Sequence, residues 1–273
     1  MTSPEEILPG VIFYSYHSTE RKEKVCFWNH HTLVLQVSGR LTLDTSVQQI
    51  SMSGGEMLLI GKNQLGTLSK TPVPQGNYET VVISLQEDLL RRIALEEKME
   101  TGRKYVGPPN ILVPNNAFLE GYFQSIVPYA RGSGATLTDE LGILKVKEGV
   151  KLLLIALPGL RSFLFDFSEP YKIDLEKFML SNFRFNIPVA KFAQLTGRSL
   201  ANFKRDFKKI FGAAPRHWLQ NKRLDTARYL IEIKHQKPTA IYLDLGFESL
   251  PHFSSSFKKK FGITPRELAI HSV

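Results

Sequence analysis

One spaced string occurs twice near the end of the chain: Phe203-x3-Phe207-Lys208-Lys209-x-Phe211-Gly212-x2-Pro215-Arg216 and, fifty residues on, Phe253-x3-Phe257-Lys258-Lys259-x-Phe261-Gly262-x2-Pro265-Arg266. A repeat of this kind implies two copies of one supersecondary unit. Phenylalanines four residues apart share one face of a helix, and the lysines fall on the other side. Each copy therefore reads as a short helix with an apolar inner stripe and a cationic outer face. Two such helices, set apart by a connecting helix, suit a polyanion with a periodic groove, most simply duplex DNA.

The charge is placed accordingly. Of the net +9, residues 169–273 carry 19 Lys/Arg against 9 Asp/Glu, whereas residues 1–168 carry 16 against 17. Such asymmetry assigns nucleic acid or another anionic surface to the second half only. A hydrophobic content of 42% excludes a disordered chain, and 273 residues suffice for two modest domains. The single cysteine, Cys26, excludes an intrachain disulfide and fits a reducing compartment. Met1–Glu6 lacks a signal-peptide pattern, and the apolar run Leu152–Leu157 is far too short to span a bilayer. The expected location is cytoplasmic, without a membrane partner.

From Val11 to about Leu85, short apolar runs alternate with turn residues: Leu33–Val37, Arg40–Leu43, Met57–Ile60 and Thr80–Leu85. That texture predicts a small β-sandwich or barrel, followed by a helix over Glu87–Met99. Beyond Pro108-Pro109, helical spacing appears at Asn116–Ala130 and Asp139–Leu157. Ile143, Val146, Val150, Leu153, Leu154 and Leu157 form one stripe, which packs either into its own core or against a second copy of the chain; periodicity does not separate the two. Phe165–Pro170 reads as a boundary before a wholly helical segment. The expected organisation is a barrel over residues 1–110, a helical pair with a dimerising option over 111–167, and an all-α DNA-binding domain over 168–273. The fold class is α+β.

In the first copy, Asn186 caps a helix with Pro188 in its first turn, and Val189, Phe192, Ala193 and Leu195 form the apolar face. Gly197 permits the left-handed backbone of a tight turn, and Ser199 caps a second helix running to Ile210. Phe203, Phe207 and either Ile210 or Phe211 face inward; Ala201, Lys204, Arg205, Lys208 and Lys209 face outward. The second copy runs from Pro238 to Leu245, turns at Gly246 and restarts at Ser249 for a helix to Phe261. Its outer face is Leu250, Pro251, His252, Ser254, Ser255, Lys258, Lys259 and Lys260. Arg216–Ile233 forms the connecting helix, with Trp218, Leu219, Leu224, Ala227 and Leu230 as its core face. A lone amphipathic helix with two lysines is ordinarily a solvated surface element. Two copies, each behind a small-residue turn and flanked by the excess charge, read as paired helix-turn-helix units.

Residues from about Ile173 to Leu268 resemble the DNA-binding domain of the AraC-type (AraC/XylS) bacterial transcription regulators. The matching residues are Ala193, Gly197, Ser199, Phe203, Phe207, Phe211-Gly212, Pro215, Arg223-Leu224, Ala227, Leu230, Gly246-Phe247, His252-Phe253, Phe257-Lys258, Phe261-Gly262 and Pro265. The resemblance implies reading helices in successive major grooves, about one turn or ~34 Å apart. Carried across, Ser199 starts the first reading helix, and Ala201, Lys204 and Arg205 approach base edges. Arg205 is suited to a bidentate grip on guanine. Leu250, His252, Ser254 and Ser255 face the groove in the second unit, while Lys208, Lys209, Lys258 and Lys259 meet phosphates. Short hydroxyls discriminate less than an arginine, so the first unit is expected to dominate sequence choice. Two departures stand out: Tyr242 replaces a small alanine, and serines stand at 254 and 255 where many members have an arginine.

The resemblance further implies a sensory or dimerising N-terminal half, often a jelly-roll, cupin-like barrel that binds a small effector. Phe13, Tyr14, Tyr16, Phe27 and Trp28 are candidates for an aromatic-lined interior, though each also suits an ordinary core. His30-His31 invites a metal reading, but adjacent strand residues point to opposite faces, and the His-x-His with a following glutamate is missing. No metal or other cofactor is expected. Cys26 reads as a buried structural thiol. No Ser/His/Asp set, phosphate-cradling loop or spaced carboxylate pair stands out, so catalysis is not expected. The leading expectation is a sequence-specific DNA-binding transcription regulator, an activator engaging RNA polymerase, controlled by a small molecule. Two alternatives are control by a protein partner through helices 116–130 and 139–157, and a barrel enzyme carrying a DNA-binding tail.

Overall fold

The structure, a computed structural model, describes residues 5–22, 25–99, 105–114, 116–131, 138–167 and 173–271. The chain divides into two compact units, Met1–Ser168 and Glu169–Val273. Residues 168–170 of the expected boundary lie outside the described residues. Among the described residues, no helix is long and apolar enough to cross a membrane.

The first unit opens with β1 (Glu5–Leu8), β2 (Ile12–His17), β3 (Arg21–Lys22), β4 (Cys26–Trp28), β5 (His31–Ser38), β6 (Arg40–Thr45), β7 (Gln49–Ser53), β8 (Met57–Ile60), β9 (Gln64–Thr71) and β10 (Tyr78–Leu85). It continues with α1 (Glu87–Glu96), β11 (Asn110–Val113), α2 (Ala117–Arg131), α3 (Asp139–Ala156) and α4 (Leu160–Leu164). One antiparallel sheet runs β1-β2-β10-β5-β8-β11 and the other β3-β9-β6-β7, with β4 also paired to β9. Where a barrel was an expectation, the described strands form two open sheets and backbone pairing closes no ring. Side-chain amides bridge part of the rim instead. Buried Asn110, on edge strand β11, donates to Gln48 at 3.3 Å and to Gln64 at 3.1 Å, and Gln64 donates back at 2.8 Å.

The six-stranded sheet is buried on both faces. Val34, Leu58 and Ile60 meet Leu41 and Leu43 of the other sheet, while Leu33, Leu35 and Leu59 meet Leu90 and Ile93 of α1, Tyr122 of α2 and Val150 of α3. Two covered faces explain the unbroken apolar run Leu33–Leu35. The α3 stripe goes inward: Val146, Val150 and Leu153 are buried, and Leu154 and Leu157 pack beside them. Gly149 permits the close approach of Tyr122, whose hydroxyl donates to Lys145 O at 2.7 Å; a Cβ there would lie 2.6 Å from that hydroxyl oxygen. A different apolar set remains exposed: Phe118 on α2, and Leu141, Leu144 and Ile155 on α3. The first helix stops at Glu96, short of Met99, where the backbone turns left-handed at Lys98 (φ 48°).

The second unit is α5 (Leu175–Asn182), α6 (Val189–Leu195), α7 (Leu200–Phe211), α8 (Pro215–Glu232), α9 (Pro238–Ile241), α10 (Leu250–Phe261) and α11 (Pro265–His271). The two cores are aromatic and built alike. Phe207 lies 5.4 Å from Phe203 and 4.4 Å from Phe211; Phe257 lies 5.8 Å from Phe253 and 4.6 Å from Phe261. Phe211, not Ile210, completes the first stripe, because its ring meets Trp218 of α8 at 4.4 Å while Ile210 is exposed. The helix expected over Pro238–Leu245 is only α9, and Tyr242 at its C-cap packs at the edge of the second core.

His31 shows the cost of a polar group in the first core. Its Nδ1 accepts from the Lys62 backbone N–H at 3.3 Å, and Nε2 has no hydrogen-bond partner among the described residues. Burial, aided by the Lys62 ammonium, holds the imidazole down at about 3 against an ordinary 6.5. The folded imidazole is thus neutral, whereas the unfolded chain binds a proton below about 6.5. Its contribution to stability is complete above that pH and declines as pH falls toward 3. In urea melts at about pH 7 and about pH 5, His31→Gln is expected to lose less stability on acidification than the wild type. Parallel losses in the two proteins would refute this.

Candidate nucleic-acid interface

Helices α7 and α10 are each capped at both ends by their own sequence. The Ser199 hydroxyl accepts from the Asn202 N–H at 3.3 Å, and the Ser249 hydroxyl from the His252 N–H at 3.4 Å. At the other end Gly212 (φ 69°) and Gly262 (φ 80°) adopt the left-handed conformation, and their N–H groups donate to Lys208 O at 2.9 Å and Lys258 O at 2.8 Å. Between the caps, Phe203, Phe207, Phe253 and Phe257 are fully buried. The opposite faces are thereby committed to solvent.

On α7, Ala201, Lys204, Arg205, Lys208 and Lys209 are exposed, as is Ser199 at the start. The Arg205 side chain is 73% exposed, and its Nε lies 3.5 Å from an Asp206 oxygen, a pair worth little in water. Asp206 meets Arg198 at 3.2 Å, and Arg198 in turn donates to Ile173 O and Thr196 O at 3.0 and 2.8 Å. Arg198 is thus committed to the scaffold, and Arg205 is the exposed guanidinium of the two. On α10, His252, Ser255, Lys258 and Lys259 are exposed, while Leu250 and Ser254 are half-buried. The Ser255 hydroxyl donates to His252 O at 3.1 Å. Lys260, expected on the outer face, instead donates to Asp225 of α8 at 2.6 Å and to Asn221 O at 3.0 Å. The carboxylate one helix away draws it off that face.

In the first unit the aromatic candidates do not form one constellation. Tyr14 is buried in the helix-covered core and donates to Glu79 at 3.1 Å; Tyr16 is exposed, 6.4 Å from Tyr14. Trp28 belongs to the inter-sheet core, and Phe13, Phe27 and Cys26 are half-buried. His30 sits in the turn before β5, so strand alternation governs only His31. The sequence alone does not single out a polar row inside the sandwich. Ser15, Gln36 and Thr80 are buried there, with Thr80 donating to Gln36 at 2.9 Å, and Lys70, 2% exposed, places its ammonium 5.7 Å from the Tyr78 ring centroid. The signal for Lys70 was its place two residues beyond Leu68, on the same strand face.

Two capped, cation-faced helices on one aromatic scaffold define a double helix-turn-helix DNA-binding protein. Comparison with known proteins agrees. A helix-turn-helix domain model matches residues 192–269, and the model of the ExsA N-terminal regulatory domain matches residues 31–162. An AraC-type DNA-binding-domain regulator from Chromobacterium violaceum is 30% identical over 37% of this chain and 91% of its own, with a TM-score of 0.33. A probable AraC family regulator from Rhodopseudomonas palustris is 27% identical over 36% of this chain and 93% of its own, with a TM-score of 0.31. An apo single-residue variant of ToxT from Vibrio cholerae is 13% identical over 96% of this chain and 98% of its own, with a TM-score of 0.46. Curated protein sequences give no match. The chain belongs to the AraC-type transcription regulators.

Because the Ser199 hydroxyl satisfies an otherwise orphaned N–H at the start of α7, Ser199→Ala is expected to cost about 1 kcal/mol of stability. Chemical denaturation measures it, and an unchanged midpoint would remove the cap from the account.

Proposed function

We propose that this protein is a cytoplasmic transcription activator whose first unit senses a small molecule and whose second unit reads an operator through α7 and α10. The observation that carries the DNA assignment is the repeated build of these helices: buried phenylalanines fix each one, and the lysines are left outside. In this reading Ala201, Lys204 and Arg205 meet base edges, with Ser199 at the helix start. Lys208, Lys209, Lys258 and Lys259 bind phosphates, and Leu250, His252, Ser254 and Ser255 face the second groove. The ring-facing Lys70 and the polar row of Ser15, Gln36 and Thr80 support a polar effector inside the sandwich, with Phe13 and Trp28 on that side of the sheet, whereas Tyr14, in the helix-covered core, and exposed Tyr16 lie outside it.

The exposed Phe118, Leu141, Leu144 and Ile155 favour a second reading of the α2–α3 segment, as a contact for a second copy, RNA polymerase or a regulatory protein. Thermal melts against a metabolite panel separate the two. A Tm raised by one compound supports the small-molecule reading, and none raised by any counts against it.

Arg205→Ala should lose about 1–3 kcal/mol on the operator and relax specificity, whereas Lys258→Ala should weaken all duplexes alike and flatten the salt dependence. Binding isotherms on operator and random DNA at several salt concentrations measure both. Equal losses on the two duplexes for Arg205→Ala would overturn its base-reading role.

A further inference from the structure

Arg223 stands near the middle of α8, half-buried, and its hydrogen-bond partners among the described residues are backbone carbonyls on two sides. Nε donates to Phe183 O at 2.9 Å and Nη2 to Phe185 O at 3.0 Å, both in the loop leading from α5 into the first helix-turn-helix. Nη1 donates to Gly246 O at 3.3 Å, in the turn of the second. The two loops also touch directly. Asn186, expected to cap α6, instead donates to Glu248 at 3.0 Å, because α6 starts later and has Pro188 at its N-cap, and a Cβ added at Gly246 would lie 2.3 Å from Arg184 O. Gly246 has a φ of 80°, so both its conformation and its neighbour require glycine.

A half-buried cation without a carboxylate is an expensive way to fill space, tolerable only when its donors are satisfied. A planar guanidinium spreads its donors over three nitrogens and can hold oxygens on two separate loops at once; the three donors of an ammonium all radiate from one nitrogen and do not span that gap. Burial draws this guanidinium down to about 10, which leaves it charged near neutral pH.

We propose that Arg223 is the positioning residue that locks the two helix-turn-helix units into one mutual arrangement, and so sets the half-site spacing the protein accepts. This rests on the DNA-reading assignment above. Rigid linkage makes the second contact effectively intramolecular, and the gain vanishes when the geometry does not match.

The full-length wild-type chain first selects its operator from a pool of random duplexes. Wild type and variants are then titrated onto that operator, onto each half-site alone, and onto operators with one base pair added or removed between the halves. Arg223→Met is expected to bind each half-site within about two-fold of wild type, to bind the joined operator roughly ten-fold or more weakly, and to lose the preference for one spacing. Arg223→Lys should not rescue it. Equal weakening on half-sites and operator, or an unchanged spacing preference, overturns the proposal. If Arg223→Met does not fold, Arg223→Gln carries the test: its single amide cannot reach both loops at once, so it should relax the spacing preference in the same direction, and an unaltered preference overturns the proposal. A wild-type chain that selects no duplex would instead remove the underlying DNA-reading assignment.

Discussion

Helix α8 is the wall that both halves of the DNA-binding unit share. Its first turns supply Trp218, 5.5 Å from Phe207 and 4.4 Å from Phe211, and its later turns supply Leu224, Ala227 and Ile231 to the core around Phe253 and Phe257. Neither half could bury its phenylalanines without it. Each fully buried aromatic ring is worth about 1.5–3 kcal/mol, so the two clusters hold the reading helices in place far more firmly than any surface ion pair. The direction in which Lys204, Arg205, Lys258 and Lys259 project is therefore a consequence of core packing. The charges are passengers on an aromatic scaffold.

The first unit is organised around the opposite problem, a sheet covered on both faces. Between the sheets, Val34, Leu58 and Ile60 make an apolar layer, yet along the same strand faces lie Gln36, Thr80 and Lys70. Packing alone would not select a lysine at 2% exposure, since burying an ammonium is costly unless other groups stabilise it. The Tyr78 ring beneath it offers part of that stabilisation. The polar end of the sandwich is thus maintained against the hydrophobic effect that built the rest.

What could be read from the sequence follows from what local chemistry encodes. The repeat, the serine caps and the left-handed glycines are local, and they located α7 and α10 and their inner and outer faces. Ile210 and Phe211 could not be ranked, because helical periodicity places both near the stripe; the choice was made by Trp218, arriving from another helix. Lys260 was drawn aside by Asp225 for the same reason. The two-sided burial of β5 was legible in the run Leu33–Leu35, but which layer lay on each face was not. Arg223 was visible as a family match and nothing more. Its partners are carbonyl oxygens of Phe183, Phe185 and Gly246, groups that every residue possesses and no side-chain pattern announces.

The unequal chemistry of the two reading faces makes physical sense once the joint at Arg223 is considered. The outer face of α10 offers hydroxyls, and that of Ser255 is already bonded to its own helix at His252 O. In the proposed reading such a face is a weak reader by itself. Held in register by a stiff joint, however, it needs only modest affinity, because its effective concentration at the neighbouring groove is set by geometry and not by diffusion. Specificity can then reside in the arginine-bearing face of α7, while the serine and lysine face of α10 contributes mainly to residence. In the proposed reading, an arginine facing the groove from α10 is dispensable to the extent that the arginine at the joint is not.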